Sequence, residues 1–194
     1  MKRTFIIVFL CIALLSCKKE STVSPEILIG EFGSLTGTTA NFGISQKNGI
    51  DMAIDDLNAA GGVLGKKVRV AIEDDQGRPE EAQTVVTRLI NRDRVVAILG
   101  EVSSSRSLAA APVCQQSRVP MISPSSTNPK VTQVGDYVFR VCFIDTFQGF
   151  VMAHFATTSL KLNEVAILRD IKNDYSVGLA DVLRIIFKKW AERS

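Results

Sequence analysis

The sequence has very little of the chemistry that hydrolytic enzymes need. It holds a single histidine, His154, and no G-x-S-x-G motif, which exposes a serine nucleophile in many hydrolases. His154 lies among Phe147, Phe150, Val151 and Phe155 at helical spacing, so we expect it to be a partly buried core residue rather than a base. The four cysteines form no cluster with this histidine, and we therefore expect no metal centre.

An excess of charge of one sign is also missing. The 194 residues contain 23 lysines and arginines against 20 aspartates and glutamates, and Lys2 and Arg3 belong to a segment that we expect to be removed. The rest of the chain is close to neutral and lacks the clustered basic face that is typical of a nucleic-acid-binding protein. The hydrophobic fraction of 46% is nevertheless ample for a folded core.

The apolar run from Phe5 to Leu15 is too short to span a bilayer as a helix. Because a charged start precedes it and a small residue and a cysteine follow it, it predicts a secretory signal peptide over residues 1–16. Residues 17–26 are polar and predict a tether without a core-forming pattern.

The end of the signal segment, Leu14–Cys17, resembles the lipobox of bacterial lipoproteins. This resemblance implies that Cys17 carries lipid and anchors the mature chain; a plain secretory signal with an incidental cysteine is the alternative. Cys11 would leave with the signal. Cys114 lies in a predicted helix and Cys142 in a predicted strand, and their spacing is compatible with a disulfide or with two separate buried thiols.

What the sequence does contain is a pair of strand ends that both lead into hydroxyl-rich turns. The run Val95–Leu99 predicts a buried strand, and Ser103–Ser105 predicts the start of the following helix. The run Val119–Ile122 predicts a neighbouring strand, which leads into the sequence SPSSTNP at residues 123–129. Parallel strands bring their carboxyl ends to one edge of a sheet, where α/β folds bind ligands.

A helix amino terminus at such an edge favours an anion, because its first N–H groups are unpaired and it is the positive end of the helix dipole. We therefore interpret these turns as a cradle for a small ligand that carries a carboxylate. The alternative is that the serines and threonines only cap helices and form turns. The residues by themselves leave both interpretations open.

Strands and helices alternate along the chain, which predicts an α/β protein with a parallel sheet flanked by helices. Further strands are predicted at Ile27–Phe32, Val68–Ile72, Tyr137–Phe143 and Glu164–Leu168. Helices are predicted after Gly49, after Pro79, from about Ser103, from Asp145, and from Val177 to Trp190. The helix after Pro79 has five apolar residues on one face: Ala82, Val85, Val86, Leu89 and Ile90. In the helix from Asp145, Gln148 is predicted to form a capping pair with Asp145. Pro112 predicts a kink or an early end of the third helix. The stretch 33–43 predicts a Gly/Thr/Ser loop without the glycine spacing of a phosphate-binding motif.

Asp74 and Asp75 are the feature that most favours an enzyme. Acidic pairs at strand ends hold divalent metals in some α/β domains. The alternative is that the two carboxylates cap a helix and accept hydrogen bonds from the neighbouring loops. Because no nucleophile–base pair accompanies them, we expect no enzymatic activity and no cofactor.

Several segments together resemble the amino-terminal half of type I periplasmic substrate-binding proteins, in particular the leucine/isoleucine/valine-binding family of branched-chain amino-acid ABC transporters. They are GSLTG at 33–37, Gly43, DDLNAAGGVLG at 55–65, EDD at 73–75, Gly100 with its serine cluster, and VPMISPSSTNP at 119–129. The resemblance covers residues 27–194. It implies a periplasmic-binding-protein type I fold with a complete, Rossmann-like lobe one at residues 27–144, followed by the crossover and a truncated start of lobe two at residues 145–194.

The resemblance also implies which residues hold the ligand. Ser104, with Ser103 as the alternative register, and the backbone near Ser125 and Thr127 would bind a carboxylate, and Thr127 with a neighbouring carbonyl would bind an ammonium group. Phe42, in the first loop, would cover the ligand side chain. Tyr175 would close over the ligand from lobe two.

The function implied is that of a lipid-anchored solute receptor on the periplasmic or outer side of a bacterial membrane. It would bind an amino acid, with the branched-chain type favoured, between two lobes and deliver it to an ABC permease by hinge closure. A ligand-sensing regulatory or receptor domain on the same fold is the alternative. We expect the 194-residue chain alone neither to close around an amino acid nor to bind it at nanomolar to low-micromolar affinity, and its lobe-two segment to expose apolar surface.

Overall fold

The computed structural model describes residues 26–191, and five strands in them form one parallel sheet. The strands are β1 (Glu26–Gly33), β2 (Lys67–Asp74), β3 (Ile98–Leu99), β4 (Met121–Ser123) and β5 (Val138–Arg140). Their order in the sheet is β2-β1-β3-β4-β5. The helices are α1 (Ala40–Ala59), α2 (Pro79–Asn91), α3 (Ser104–Ser117), α4 (Asp145–His154) and α5 (Asp174–Ala191). The predicted α/β class, a parallel sheet flanked by helices, is confirmed.

The main core lies between one face of the sheet and the helices α2 and α3. Phe32 and Ile98 from the sheet, Leu89 from α2, and Ala110 and Cys114 from α3 are fully buried there. The predicted apolar face of α2 is buried as a whole. Its spacing places five apolar side chains on one side of the helix, and their burial contributes about 1.5–3 kcal/mol for each large side chain.

Helix α1 begins at Ala40, whereas the sequence predicted a loop as far as residue 43 and a helix only after Gly49. That prediction was wrong because Gly43 was taken as a sign of a loop. Its actual role is close packing: a Cβ at this position would lie 2.1 Å from the backbone oxygen of Ser34. Phe42 therefore lies in the first turn of a helix and not in a loop.

The strands are shorter than predicted, and one predicted strand is absent. Residues 95–99 contribute only Ile98 and Leu99 to β3, and residues 137–143 only Val138–Arg140 to β5. The predicted strand Glu164–Leu168 is not formed. No other strand in residues 26–191 runs beside it, so its apolar side chains stay exposed, and Leu168 is 101% exposed.

Helix α3 continues past Pro112 to Ser117, so an early end at that proline is not observed. The proline costs about 3 kcal/mol in a helix interior. The buried side chains on either side of it, Ala111 and Cys114, keep the helix against the core and offset this cost.

Helices α4 and α5 pack against each other beyond the sheet. Gly149 permits the close approach, since a Cβ there would lie 2.6 Å from Cγ1 of Val182. Asp145 is the fully buried first residue of α4 rather than its amino-terminal cap, which is Ile144. His154 is exposed and contacts the rings of Phe150 and Trp190, so the expectation of a partly buried core histidine was wrong.

Apolar side chains are exposed over the segment from residue 145 onward, as expected. They include Phe147 at 59% and Phe155 at 55%. Cys114 and Cys142 are both free thiols. None of the helices within residues 26–191 is long and apolar enough to span a membrane.

The end of α1 is hydrogen-bonded to β2, the outermost strand of the sheet within residues 26–191. The side chain of Asn58 donates to the backbone oxygen of Val68 and accepts from its backbone N–H, both at 2.8 Å. Because β2 is an edge strand, this side chain takes the place that a further strand would occupy at Val68.

Candidate functional site

A cavity of about 430 Å³ lies where the loops after β1, β3 and β4 meet the start of α5, and the six side chains predicted to bind a ligand all line it. They are Phe42, Ser103, Ser104, Ser125, Thr127 and Tyr175. The fold thus brings together residues that are far apart in the sequence. Their roles in binding stay predictions.

The wall contains six further residues that the sequence did not single out. They are Thr39, Val102, Arg106, Phe143, Gln148 and Asn173. Thr39 and Arg106 each lie within a few residues of a predicted site residue, so the sequence held a local signal for them. Phe143 and Gln148 follow the last strand; the sequence marked Gln148 only as a capping residue and Phe143 only as part of a strand.

Three helices begin beside this cavity. Thr39 precedes α1, Ser103 precedes α3, and Tyr175 lies in the first turn of α5. Each helix start carries unpaired N–H groups and the positive end of a dipole, so together they favour a negatively charged ligand group. Oγ1 of Thr39 is buried and makes no hydrogen bond with another described residue, although hydroxyl groups in such positions normally have one.

The serines of the α3 turn have different partners. Ser104 is buried, and its Oγ accepts a hydrogen bond from the backbone N–H of Asn128 at 3.2 Å. Oγ of Ser105 accepts from the backbone N–H of Asp174 at 2.9 Å, which ties α3 to the start of α5. Ser103 and Ser104 line the cavity, whereas Ser105 serves the contact between the two parts of the chain.

The backbone oxygen of Glu101 links the loops that form the cavity by hydrogen bonds. It accepts hydrogen bonds from the hydroxyl groups of Ser107 at 3.0 Å, Ser123 at 2.7 Å and Ser126 at 2.9 Å. Ser123 and Ser126 therefore hold the loops together, whereas Ser103, Ser104, Ser125 and Thr127 line the cavity. The interpretation of the lining residues as a ligand cradle stays a prediction.

Beneath the cavity lies a buried cluster of charged side chains. Nε of Arg106 is 2.9 Å from Oε1 of Glu101 and 3.9 Å from Oδ2 of Asp75. The hydroxyl of Ser34 lies 3.0 Å from the Asp75 carboxylate and 3.1 Å from the Glu101 carboxylate. Burial and the charge of Glu101 raise the pKa of Asp75 to about 6.

The carboxylate of Asp74 holds the loop after β1. Oδ1 accepts from the backbone N–H of Leu35 at 2.9 Å, and Oδ2 accepts from the hydroxyl of Thr36 at 2.6 Å. Burial would raise the pKa of Asp74, but hydrogen bonds from Thr36, Gln76 and Leu35 outweigh it and lower the pKa. The two acids thus accept hydrogen bonds from neighbouring loops, which is the structural role that the sequence left open.

The start of α5 closes one side of the cavity. Nδ2 of Asn128 donates to the backbone oxygen of Asp174 at 2.9 Å, and Nε2 of Gln148 donates to the hydroxyl of Tyr175 at 3.0 Å. The second bond holds the hydroxyl of Tyr175, whose side chain lines the cavity. Phe42 and Phe143, both more than half exposed, supply apolar walls.

The arrangement suits noncovalent capture of a small molecule. Hydroxyl groups and helix starts can hold a carboxylate, while three aromatic rings can enclose an apolar group. Within residues 26–191, no group of three or more acidic, cysteine and histidine side chains is placed to hold a metal ion.

Comparison with known proteins gives one consistent result. A family model described as "Periplasmic binding protein" matches residues 26–189. An amino acid binding protein from Pseudomonas aeruginosa is 37% identical over 165 residues, which are 84% of this chain and 44% of that protein.

Two solved structures are similar in both sequence and shape. A leucine binding protein, LivK, from Thermotoga maritima has 39% identity and a TM-score of 0.80 over 84% of this chain and 46% of its own. A branched-chain amino acid transporter substrate binding protein, LivJ, from Streptococcus pneumoniae in complex with isoleucine has 33% identity and a TM-score of 0.79 over 84% and 47%. The chain spans less than half the length of each of these three proteins.

Proposed function

The chain belongs to the periplasmic binding protein family, and on this basis we propose that it forms part of an extracytoplasmic solute-binding lipoprotein of an ABC transporter. The receptor would bind an amino acid in the cleft between two lobes and deliver it to the permease. Branched-chain amino acids are favoured, because one of the two similar structures is a leucine binding protein and the other is in complex with isoleucine. Residues 27–144 would supply lobe one, and residues 145–194 the crossover and the start of lobe two.

The observation that carries this proposal is the convergence of helix starts and hydroxyl groups on one cavity. Thr39, Ser103 and Ser104 stand at the starts of α1 and α3, and Thr127 lines the same cavity. The carboxylate of an amino acid would lie against Ser103 and Ser104. Hydrogen bonds to a charged group contribute about 1.5–3 kcal/mol each, and a helix start adds about 0.3–1 kcal/mol.

The apolar wall supports an amino acid with a large hydrocarbon side chain. Phe42, Phe143 and Tyr175 all line the cavity. Burying a leucine-sized side chain against them would contribute about 1.5–3 kcal/mol. Phe42 and Phe143 remain more than half exposed here, so this wall is open on one side and we expect weak binding by the chain alone.

Attachment to the membrane is a separate part of the proposal. It depends on Cys17, which lies outside the described residues. A single acyl chain gives only marginal membrane binding, so firm anchoring needs more than one. Replacing Cys17→Ala should release the protein from the membrane fraction of the source bacterium, and persistence in that fraction would contradict the lipid anchor.

Nuclear magnetic resonance would test ligand binding directly. Titrating the ¹⁵N-labelled chain with L-leucine should shift the amide signals of Ser103, Ser104 and Thr127, with a dissociation constant above the low-micromolar range. Leucinamide, which lacks the carboxylate, should cause much smaller shifts. Saturation at low-micromolar L-leucine would contradict our expectation for the chain alone.

A pair of serine variants controls for unspecific effects. Ser104→Ala removes a hydroxyl at the cavity and should weaken L-leucine binding about tenfold, the value of one hydrogen bond to a charged group. Ser117→Ala removes an exposed hydroxyl from the last turn of the same helix and should leave binding unchanged. Equal binding by both variants, or no shift of the cavity amides by L-leucine, would overturn the proposed site.

A further inference from the structure

Two carboxylates and one guanidinium are buried together directly under the serine turn. Asp75 and Glu101 are 0% exposed and Arg106 is 8% exposed. Arg106 also lines the cavity, and the carboxylate of Glu101 accepts a hydrogen bond from the backbone N–H of Ser103. The cluster is therefore connected to the place where a ligand carboxylate would lie.

We propose that Asp75, Glu101 and Arg106 are positioning residues that couple carboxylate binding at the Ser103–Ser104 turn to the uptake of one proton by Asp75. The coupling rests on the proposed function, because it concerns the same cavity. The proton uptake itself concerns the chain without ligand and can be tested alone.

The geometry assigns the proton to Asp75 rather than to Glu101. Arg106 lies closer to Glu101, at 2.9 Å, than to Asp75, at 3.9 Å. The hydroxyl of Ser34 has one hydrogen and can donate to only one of the two acids at a time. Oδ2 of Asp75 makes no hydrogen bond with another described residue, so it is the open position for a proton.

The other charged groups near Asp75 are engaged elsewhere. The Asp74 carboxylate holds Leu35 and Thr36. At the start of α2, Arg78 and Glu81 form an exposed pair at 3.0 Å. From the loop after β2 itself, the backbone N–H of Gly77 donates to Oδ1 of Asp75 at 2.8 Å. Glu101 and Arg106 therefore set the electrostatic field at Asp75.

Charge explains the coupling. With both acids ionised, the cluster carries one negative charge more than Arg106 neutralises, and a ligand carboxylate above it would be repelled. A proton on Asp75 removes that excess, so ligand and proton favour each other's binding.

Unfolding in urea at several pH values tests the uptake of a proton by Asp75 in the absence of any ligand. Because its pKa is raised, protonation of Asp75 stabilises the fold below its ordinary pKa of 3.8, and this stabilisation is lost as the pH rises through about 6. Between pH 4 and 7 the unfolding constant of the natural chain should rise about fiftyfold more than that of Asp75→Asn. Glu80→Gln, an exposed acid on α2, should follow the natural chain.

The carboxyl carbon of Asp75 gives a second measurement that needs no substitution. In the natural chain its ¹³C signal should titrate with a midpoint near pH 6. A midpoint near 4, or identical pH curves for the natural chain and Asp75→Asn, would overturn the inference whether or not leucine binds.

The affinity for L-leucine at several pH values tests the coupling between ligand binding and proton uptake. Its affinity for the natural chain should fall about tenfold from pH 5 to pH 8, and less than twofold for Asp75→Asn. Equal pH dependence in both proteins would overturn the coupling. Absence of leucine binding at every pH, combined with the expected unfolding curves, would count against the proposed function and the coupling but not against the proton on Asp75.

Discussion

The two parts of the chain differ in how completely their apolar residues are covered. In residues 26–144, side chains such as Phe32, Leu89 and Met121 are fully buried between the sheet and two helices. In residues 145–191, Phe147, Phe155 and Ile171 are more than half exposed, and the helix that holds Phe147 is also amphipathic. The difference teaches that an amphipathic pattern specifies a face but not what covers it. A layer that covers the face must come from elsewhere in the fold.

Truncating one leucine in each part would sharpen this contrast, and it has the largest expected effect on stability. Leu89→Ala leaves a cavity in the closed core and should lower the free energy of unfolding by about 2–5 kcal/mol. Leu168→Ala removes a side chain that is 101% exposed and should change it by less than about 0.5 kcal/mol. Urea denaturation followed by circular dichroism measures both. A comparable loss from both variants would mean that the exposed segment is covered in solution.

A pair of glycines in α1 tests whether tight backbone packing extends beyond the core. Gly43→Ala places a Cβ 2.1 Å from the backbone oxygen of Ser34, so we expect a loss of about 1–3 kcal/mol despite the better helix propensity of alanine. Gly49→Ala in the same helix meets no atom within 4 Å and should stabilise the protein by up to about 1 kcal/mol. Thermal unfolding of the two variants gives the comparison. Stabilisation by both would show that α1 is not held against the β1 loop.

The smallest expected effect on the free energy of unfolding comes from breaking one ion pair in each part. Arg88 reaches Glu73, which is 17% exposed, at 2.9 Å, and Arg88→Gln should cost about 0.5–1 kcal/mol. Arg169 reaches Asp181 at 3.2 Å with both side chains 44% exposed, and Arg169→Gln should cost less than about 0.5 kcal/mol. Urea unfolding at low and high salt separates the two. If Arg169→Gln costs more, the second part is more rigid than its exposure indicates.

Much of the first part could be predicted from sequence because its signals are local. The apolar spacing in α2 and the serine cluster before α3 each predicted a helix from a few residues, and both helices are confirmed, although the Ser103 side chain makes no capping hydrogen bond. The start of α1 could not be predicted, since Gly43 is required by contact with Ser34 and not by a turn. The segment Glu164–Leu168 was predicted as a strand from its composition, but a strand needs a neighbour, and residues 26–191 supply none there.

The candidate site could also be predicted only in part from the sequence. The serine and threonine turns were visible as motifs, and the resemblance placed Phe42 and Tyr175 near them. The charged cluster was not foreseen, because Asp75 follows β2 whereas Glu101 and Arg106 follow β3, and the three side chains gain their properties only when buried together. Nothing in a linear sequence states that two acids will share the hydroxyl of Ser34.

The contact between Asn58 and Val68 has a consequence for how the protein behaves in a crowded compartment. An exposed sheet edge is a template on which another chain can add a strand, and repeated addition leads to aggregates. A side-chain amide that occupies both backbone groups of Val68 blocks that template near the start of β2, at the second of its 8 residues. We therefore expect Asn58, at the end of a helix, to disfavour the addition of a strand at this edge.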